Sequence, residues 1–248
     1  MVDGVAVVRK GSGPEVLLVH GGASPRTTWG GLEPLADRWQ LGYVHRRGYP
    51  PSPPPRGGRM DFEVDAADLE PLLAGRPHLV LHSYGSLGGL IAAARTPESV
   101  RSLTVIEPPL GQLWPGDPDA DRVVALGDEV LTHGMDTDPA RLREFLRGVG
   151  APVGAGPLPE QVAAGVRRAH GTRLASEARP RLDLLRAAGI PALVASGGHH
   201  PGLECICDHV AEELGAERVV HPGAGHFVAA APGFAERLDE FLRYAVTR

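Results

Sequence analysis

Seven short runs of apolar or β-branched residues, most of them closed by a glycine- or proline-rich turn, confine this 248-residue chain to a narrow group of folds. They fall at residues 5–8, 16–19, 41–44, 79–81, 102–106, 192–195 and 218–221. Runs such as Val16-Leu17-Leu18-Val19 are apolar without alternation, so both faces of the strand must be covered. Between them lie stretches with helical spacing, at 28–37, 61–73, 87–95 and 234–244. In the second of these Asp61 precedes apolar residues at Phe62, Ala66, Leu69, Leu72 and Leu73, which is the pattern of a capped amphipathic helix. Strands that alternate with helices in this way predict an α/β protein: a mostly parallel central sheet with helices on both faces.

The alternation stops once. After the strand that runs into Glu107-Pro108-Pro109, residues 110–178 contain no strand pattern, only helical segments near 120–131, 139–149 and 158–170. Strands then resume. The simplest division is a core of residues 1–110 and 179–248, with residues 111–178 inserted as a helical lid. An insertion at that point would cover the carboxyl ends of the strands, where such sheets bind ligands.

Charge and composition exclude several roles. The net charge is −5, and Lys10 is the only lysine among scattered arginines, so no basic face predicts a nucleic-acid partner. No apolar run reaches the ~20 residues that a membrane span needs. The first residues lack the basic start and apolar core of a secretory signal, which gives the expectation of a cytoplasmic protein. The two cysteines, Cys205 and Cys207, suit a reducing compartment.

The turn Leu79-Val80-Leu81-His82-Ser83-Tyr84-Gly85-Ser86 resembles the nucleophile elbow of the α/β-hydrolase superfamily, Gly-x-Ser-x-Gly between a strand and a helix. Small flanking residues are needed there because a serine on a sharp turn has backbone packed close on both sides. Leu81 departs from the pattern at the first glycine. Residues 16–22 resemble the family strand that ends in His-Gly, here His20-Gly21-Gly22. The run Val219-Val220-His221-Pro222-Gly223-Ala224-Gly225-His226-Phe227 resembles the loop that carries the family's histidine. The resemblance implies Ser83 as nucleophile, His226 as general base, and the N–H groups of Gly22 and Tyr84 as oxyanion donors. A histidine suits the task because its ordinary pKa of about 6.5 lets it take and return a proton near neutrality. His45-Arg46-Arg47-Gly48 resembles the family's Asp-x-Arg-Gly turn, whose arginine anchors loops.

The third member of the triad is displaced. The family usually places an acid after the penultimate strand, but here that strand leads into Ser196-Gly197-Gly198-His199-His200, with His200 at the acid position. An imidazole cannot orient the base as a carboxylate does. Glu107, at the end of the preceding strand, emerges at the same sheet edge and is the acid expected here. Glu204 and Asp208 are the competing carboxylates, and without any acid the enzyme works as a Ser-His dyad or no longer turns over. His199, His200, Cys205, Cys207 and His209 are all potential zinc ligands, but helical spacing over 203–214 splits the set, so no metal is expected. Trp29 and Trp114 are candidates for lining the substrate pocket or for packing.

These residues predict a serine hydrolase acting on an ester, thioester or lactone of a small organic molecule, with no cofactor. Two rivals share the fold: a biosynthetic cyclase, acyltransferase or lyase, and a binding protein that senses a ligand without turnover. Neither the substrate nor the oligomeric state is encoded in any motif.

Overall fold

A computed structural model describes residues 4–247. Seven strands form one sheet: β1 (Ala6–Lys10), β2 (Glu15–Val19), β3 (Gln40–His45), β4 (His78–His82), β5 (Ser102–Ile106), β6 (Ala192–Ser196) and β7 (Glu217–Val220). Their spatial order is β1-β3-β2-β4-β5-β6-β7, and every neighbouring pair is parallel except β1 with β3. The predicted α/β class and the predicted strands are those of the structure.

The period of two along each strand sorts its side chains into two cores. Leu17, Val19, Leu79, Leu81, Leu103, Val105 and Val194 face helices Phe62–Leu69, Gly85–Arg95 and Pro201–Leu214, packing on Phe62, Leu87, Leu90, Ile206 and Val210. Their neighbours Val16, Leu18, Val80, Ile106, Leu193 and Ala195 face the other way, onto Trp29, Leu32, Phe234, Leu238 and Leu242. Both faces being covered explains why the strands read as unbroken apolar runs.

Two predicted helices are interrupted, one at a pair of glycines and one at a proline. Residues 28–37 form a short α-helix, Pro25–Trp29, followed by 3-10 turns over Gly30–Asp37 that contain Gly30, Gly31 and Pro34. The second helix is α-helical over Phe62–Leu69, capped by the Asp61 side chain as expected, and tightens to 3-10 geometry over Glu70–Gly75, where Pro71 removes a donor. Between β5 and β6 there is no strand among the described residues. Helices Pro118–His133, Pro139–Gly148 and Glu160–Ala169 occupy that stretch, and Val130, Leu142, Leu146, Val162 and Val166 give it a small core of its own. No described helix is long and apolar enough to cross a membrane.

The strand order places the functional residues. From β2 the chain goes to β3 on one side, then returns to β4 on the other, so the direction of winding reverses between β2 and β4. A crevice opens outside the carboxyl ends of strands at such a point. His20-Gly21-Gly22 follows β2, and Ser83 follows β4.

Candidate active site

Ser83 is the first residue beyond β4 and has φ +51°, in the left-handed region that side chains other than glycine seldom adopt. Three contacts hold it there. Its N–H donates to the Ile106 carbonyl at 2.9 Å, while its own carbonyl accepts from the Ser86 N–H at 2.9 Å and the Ser86 hydroxyl at 2.6 Å. The helix Gly85–Arg95 begins immediately after. Strain of this kind, at a residue fixed by its surroundings, is typical of functional turns.

The departure at Leu81 is absorbed by the helix. A Cβ built on Gly89 would lie 2.3 Å from Leu81 Cδ2, so the helix supplies the missing side-chain volume one turn past the elbow. The leucine is tolerated because the glycine has moved to its partner.

On the other side of Ser83 lies the β2 loop. A Cβ on Gly21 would stand 2.7 Å from Ser83 Cβ and 3.2 Å from its Oγ, so only a glycine lets this backbone approach the hydroxyl. The loop is anchored from behind. Arg46 Nη1 donates to the Gly21 carbonyl at 3.0 Å, His20 Nδ1 lies 3.0 Å from the same oxygen, and Tyr49 hydroxyl donates to the Gly22 carbonyl at 2.7 Å. Arg46 is itself buried and doubly bonded to one Asp65 oxygen, through Nε at 3.0 Å and Nη2 at 2.6 Å. In a planar trans peptide the N–H opposes the carbonyl, so fixing the Gly21 oxygen aims the Gly22 N–H the opposite way. The Gly22 and Tyr84 N–H groups have no acceptor among the described residues.

Glu107 follows β5 as Ser83 follows β4, and it too has a positive φ, +44°. Its N–H continues the ladder to the Ala195 carbonyl at 3.1 Å. Its carboxylate is 1% exposed; Oε2 accepts from His226 Nδ1 at 2.6 Å and Oε1 from the Gly197 N–H at 2.8 Å. Burial by itself would raise this carboxyl, but the imidazoles of His199 and His226 and the Gly197 N–H together bring it down to about 2. A carboxylate can only accept, so the His226 proton sits on Nδ1 and the Nε2 lone pair is left for a substrate or nucleophile proton. His226 is buried, and its backbone carbonyl accepts from His82 Nε2 at 2.9 Å. Burial, then the neighbouring His226, depress the His82 pKa to about 3, so His82 is neutral.

The structure therefore joins His226 to Glu107 directly and leaves Ser83 Oγ without a hydrogen-bond partner among the described residues. Catalytic hydrogen bonds of this type often close only when substrate is bound. The rings of His82, adjacent to Ser83 in the chain, and His226 are 4.6 Å apart.

The competing carboxylates are engaged elsewhere. Glu204 accepts from Ser196 Oγ, the Gly198 N–H and Arg218, while Asp208 pairs with Arg218. His200 caps helix Pro201–Leu214, its Nδ1 accepting from the Gly202 N–H. The suspected zinc set does not assemble: Cys207 is buried, Cys205 half-buried, and His209 stacks on Trp114 with centroids 5.3 Å apart. Among the described residues the cluster with metal-ligand spacing is instead Glu107, His199 and His226, whose donor atoms lie within 4.8 Å of one another. Trp29, considered as a pocket residue, is fully buried in the core and meets His82 edge-on at 6.0 Å; Trp114 also packs against the core. Sequence reasoning weighed His199 only as a potential zinc ligand and did not place it beside Glu107, whose Oε1 it approaches to 3.4 Å. It also gave Arg46 a general anchoring part without identifying the carbonyl it holds.

Comparison with known proteins places the fold. Residues 14–228 match the family described as alpha/beta hydrolase fold. The chain is 31% identical over 180 residues to the pimeloyl-[acyl-carrier protein] methyl ester esterase of Methylococcus capsulatus, a match covering 64% of this chain and 68% of that one. It is 38% identical over 108 residues to the 2-(acetamidomethylene)succinate hydrolase of Mesorhizobium japonicum, covering 41% of this chain and only 38% of that relative. A thermophilic esterase from Thermogutta terrifontis shares the fold, with a TM-score of 0.69 and 22% identity, covering 97% of this chain and 93% of that one. The chain belongs to the alpha/beta hydrolase fold family.

Proposed function

We propose that this esterase-like hydrolase cleaves an ester, thioester or lactone of a small organic molecule with Ser83 as nucleophile, His226 as general base and Glu107 as the orienting acid. The observation that carries the reading is the 2.6 Å bond from His226 Nδ1 to the buried Glu107 carboxylate. It puts the imidazole in the tautomer a base needs, at the same sheet edge as a strained, unpaired serine. The esterase of Methylococcus capsulatus and the hydrolase of Mesorhizobium japonicum support the reaction class.

Ser83 Oγ attacks the acyl carbonyl and passes its proton to His226 Nε2, while Glu107 stabilises the imidazolium. The oxyanion is held by the Gly22 and Tyr84 N–H groups, the latter at the start of a helix whose dipole favours negative charge. His226 returns the proton to the leaving oxygen or sulfur. A water deprotonated by His226 then attacks the acyl-enzyme and frees the acid. The helical stretch 111–178 forms the lid over this edge and sets the substrate, the core being 1–110 and 179–248. No cofactor enters the scheme, and two unpaired cysteines fit a cytoplasmic site of action.

A fluorophosphonate probe tests the assignment. Wild type should be labelled with loss of esterase activity, and Ser83→Ala should take up no label. Equal labelling of the two proteins would sink it, as would tight ligand binding without turnover in the wild type.

A further inference from the structure

Glu107 is shared by two imidazoles, and only one of them has a place in the scheme above. His199 Nδ1 stands 3.4 Å from Glu107 Oε1, on the oxygen that does not serve His226. Its other nitrogen, Nε2, is 2.9 Å from the carbonyl of Gly148. A carbonyl only accepts, so Nε2 carries a proton. The remaining nitrogen of a neutral ring would then point a lone pair at a carboxylate, with no other partner. A proton on Nδ1 turns that repulsion into attraction, and makes the ring a cation between two negative ends.

The second end belongs to the inserted segment. Gly148 is the last residue of helix Pro139–Gly148, and its carbonyl lies at the negative pole of that helix. Two residues on, a Cβ at Gly150 would be 3.2 Å from His226 Cβ and 3.3 Å from the Phe227 ring. The end of this helix therefore rests on the loop that carries the base, and His199 is the side chain that hydrogen-bonds it there.

We propose that His199 is a positioning residue that, when protonated, latches the C-terminal end of helix Pro139–Gly148 onto Glu107 and so fixes the inserted segment over His226. The groups facing His199 fit a cation. Glu107 faces it from the end of β5 and the Gly148 carbonyl from the inserted helix. Glu204 acts on it from helix Pro201–Leu214. The rings of His200 and His226 are the opposing groups, with centroids at 6.5 and 6.4 Å. The Glu107 carboxylate 3.4 Å away raises the His199 pKa, against a smaller opposing effect of partial burial. The latch is therefore closed at low pH and releases as pH rises through the His199 titration.

The inference uses the proposed function only for its kinetic consequence, so the decisive measurement is structural. Amide hydrogen exchange of residues 146–153, corrected for the intrinsic pH dependence, is followed from pH 5.5 to 9 in wild type, His199→Gln and His199→Asn. Protection in wild type should fall about tenfold or more as His199 deprotonates, and should be low and independent of pH in both variants. A side chain with a merely structural part would change protection by the same factor at every pH. The same pH dependence in wild type and a folded variant, or none in wild type, overturns the latch. If neither variant folds, ¹⁵N chemical shifts of the wild-type ring decide: both nitrogens protonated near pH 6 support it, and a neutral ring overturns it. These results stand whether or not Ser83 is labelled by fluorophosphonate.

Discussion

Glu107 and His226 lie 119 positions apart in the chain, yet their side chains meet at 2.6 Å and both residues are buried. The contact exists because β5 and the loop after β7 end at the same edge of the sheet. Glu107 makes it from a positive φ, +44°, a sparsely populated backbone conformation that the surrounding structure has to hold.

Replacing Glu107 with Gln keeps the shape but changes what the group can do. The amide oxygen still accepts from Gly197, and the NH₂ group then faces His226 Nδ1, forcing the other tautomer. Esterase kcat should fall about 10³–10⁴-fold with little change in KM, as for other triads deprived of their carboxylate. Steady-state kinetics on a chromogenic ester measure it. A loss below about tenfold would mean that the enzyme works as a Ser-His dyad.

Gly21 is small because Ser83 is next to it. In Gly21→Ala the new methyl would sit 2.7 Å from Ser83 Cβ, and either the oxyanion loop or the elbow must move. The kcat/KM should drop by about 100-fold or more, the scale of losing one oxyanion donor, while the circular dichroism spectrum stays native. Normal turnover in this variant would place the oxyanion donors elsewhere.

Arg46 separates stability from positioning. Arg46→Met strands a buried Asp65 carboxylate and should cost about 3–5 kcal/mol in denaturant unfolding. Adding Asp65→Leu should recover most of that. Activity should remain low in the double variant, because nothing then holds the Gly21 carbonyl that Arg46 bonds. Recovery of both together would show that the arginine acts on the fold alone.

Leu81 and Gly89 should behave as a pair. Gly89→Ala gains helix propensity but drives a methyl into the Leu81 side chain, for a net loss of about 1 kcal/mol. In a Leu81→Ala background, itself less stable by about 2–5 kcal/mol, the same change should become stabilising. A double-mutant cycle with no reversal of sign would show that the two sites do not share space.

Acid should destabilise the protein over two overlapping pH ranges. His20, His78 and His82 are buried and their pKa values depressed, chiefly by burial; His78 falls to about 4 and His82 to about 3. Each is neutral in the fold but takes up a proton in the unfolded chain below its ordinary 6.5. Stability is therefore full above pH 6.5 and is lost as pH falls, by up to about 4 kcal/mol per pH unit for three groups. Glu107, depressed to about 2, adds a further loss between about pH 4.5 and 2. His78→Asn, which keeps a partner for Ser102 Oγ, should reduce the slope between pH 6 and 5 by about a third in urea titrations. An unchanged slope would mean that His78 is already charged in the fold.

The amino-acid sequence determined what short-range chemistry can encode. Unbroken apolar runs fixed the strands and their burial on both faces. The small residues around Ser83 marked the sharp turn after β4, and the strand and glycines before His226 marked the loop that carries it. Gly30-Gly31 and Pro71, by contrast, cut two helices shorter than their apolar spacing suggested, because glycine's backbone freedom and proline's missing N–H end a helix whatever face it presents. Which carboxylate among Glu107, Glu204 and Asp208 meets the His226 ring was not legible, because the one that does lies 119 positions away in the chain while the two nearer ones do not reach it. Only the pairing of β5 with β6 and of β6 with β7 decided that, together with the positive φ of Glu107 and the capture of Glu204 and Asp208 by Arg218. The same holds for His199, for the Arg46 anchor and for the glycine that Leu81 borrows from the helix. Each is a contact between elements distant in the chain, and local propensity carries no record of the neighbour that folding will bring.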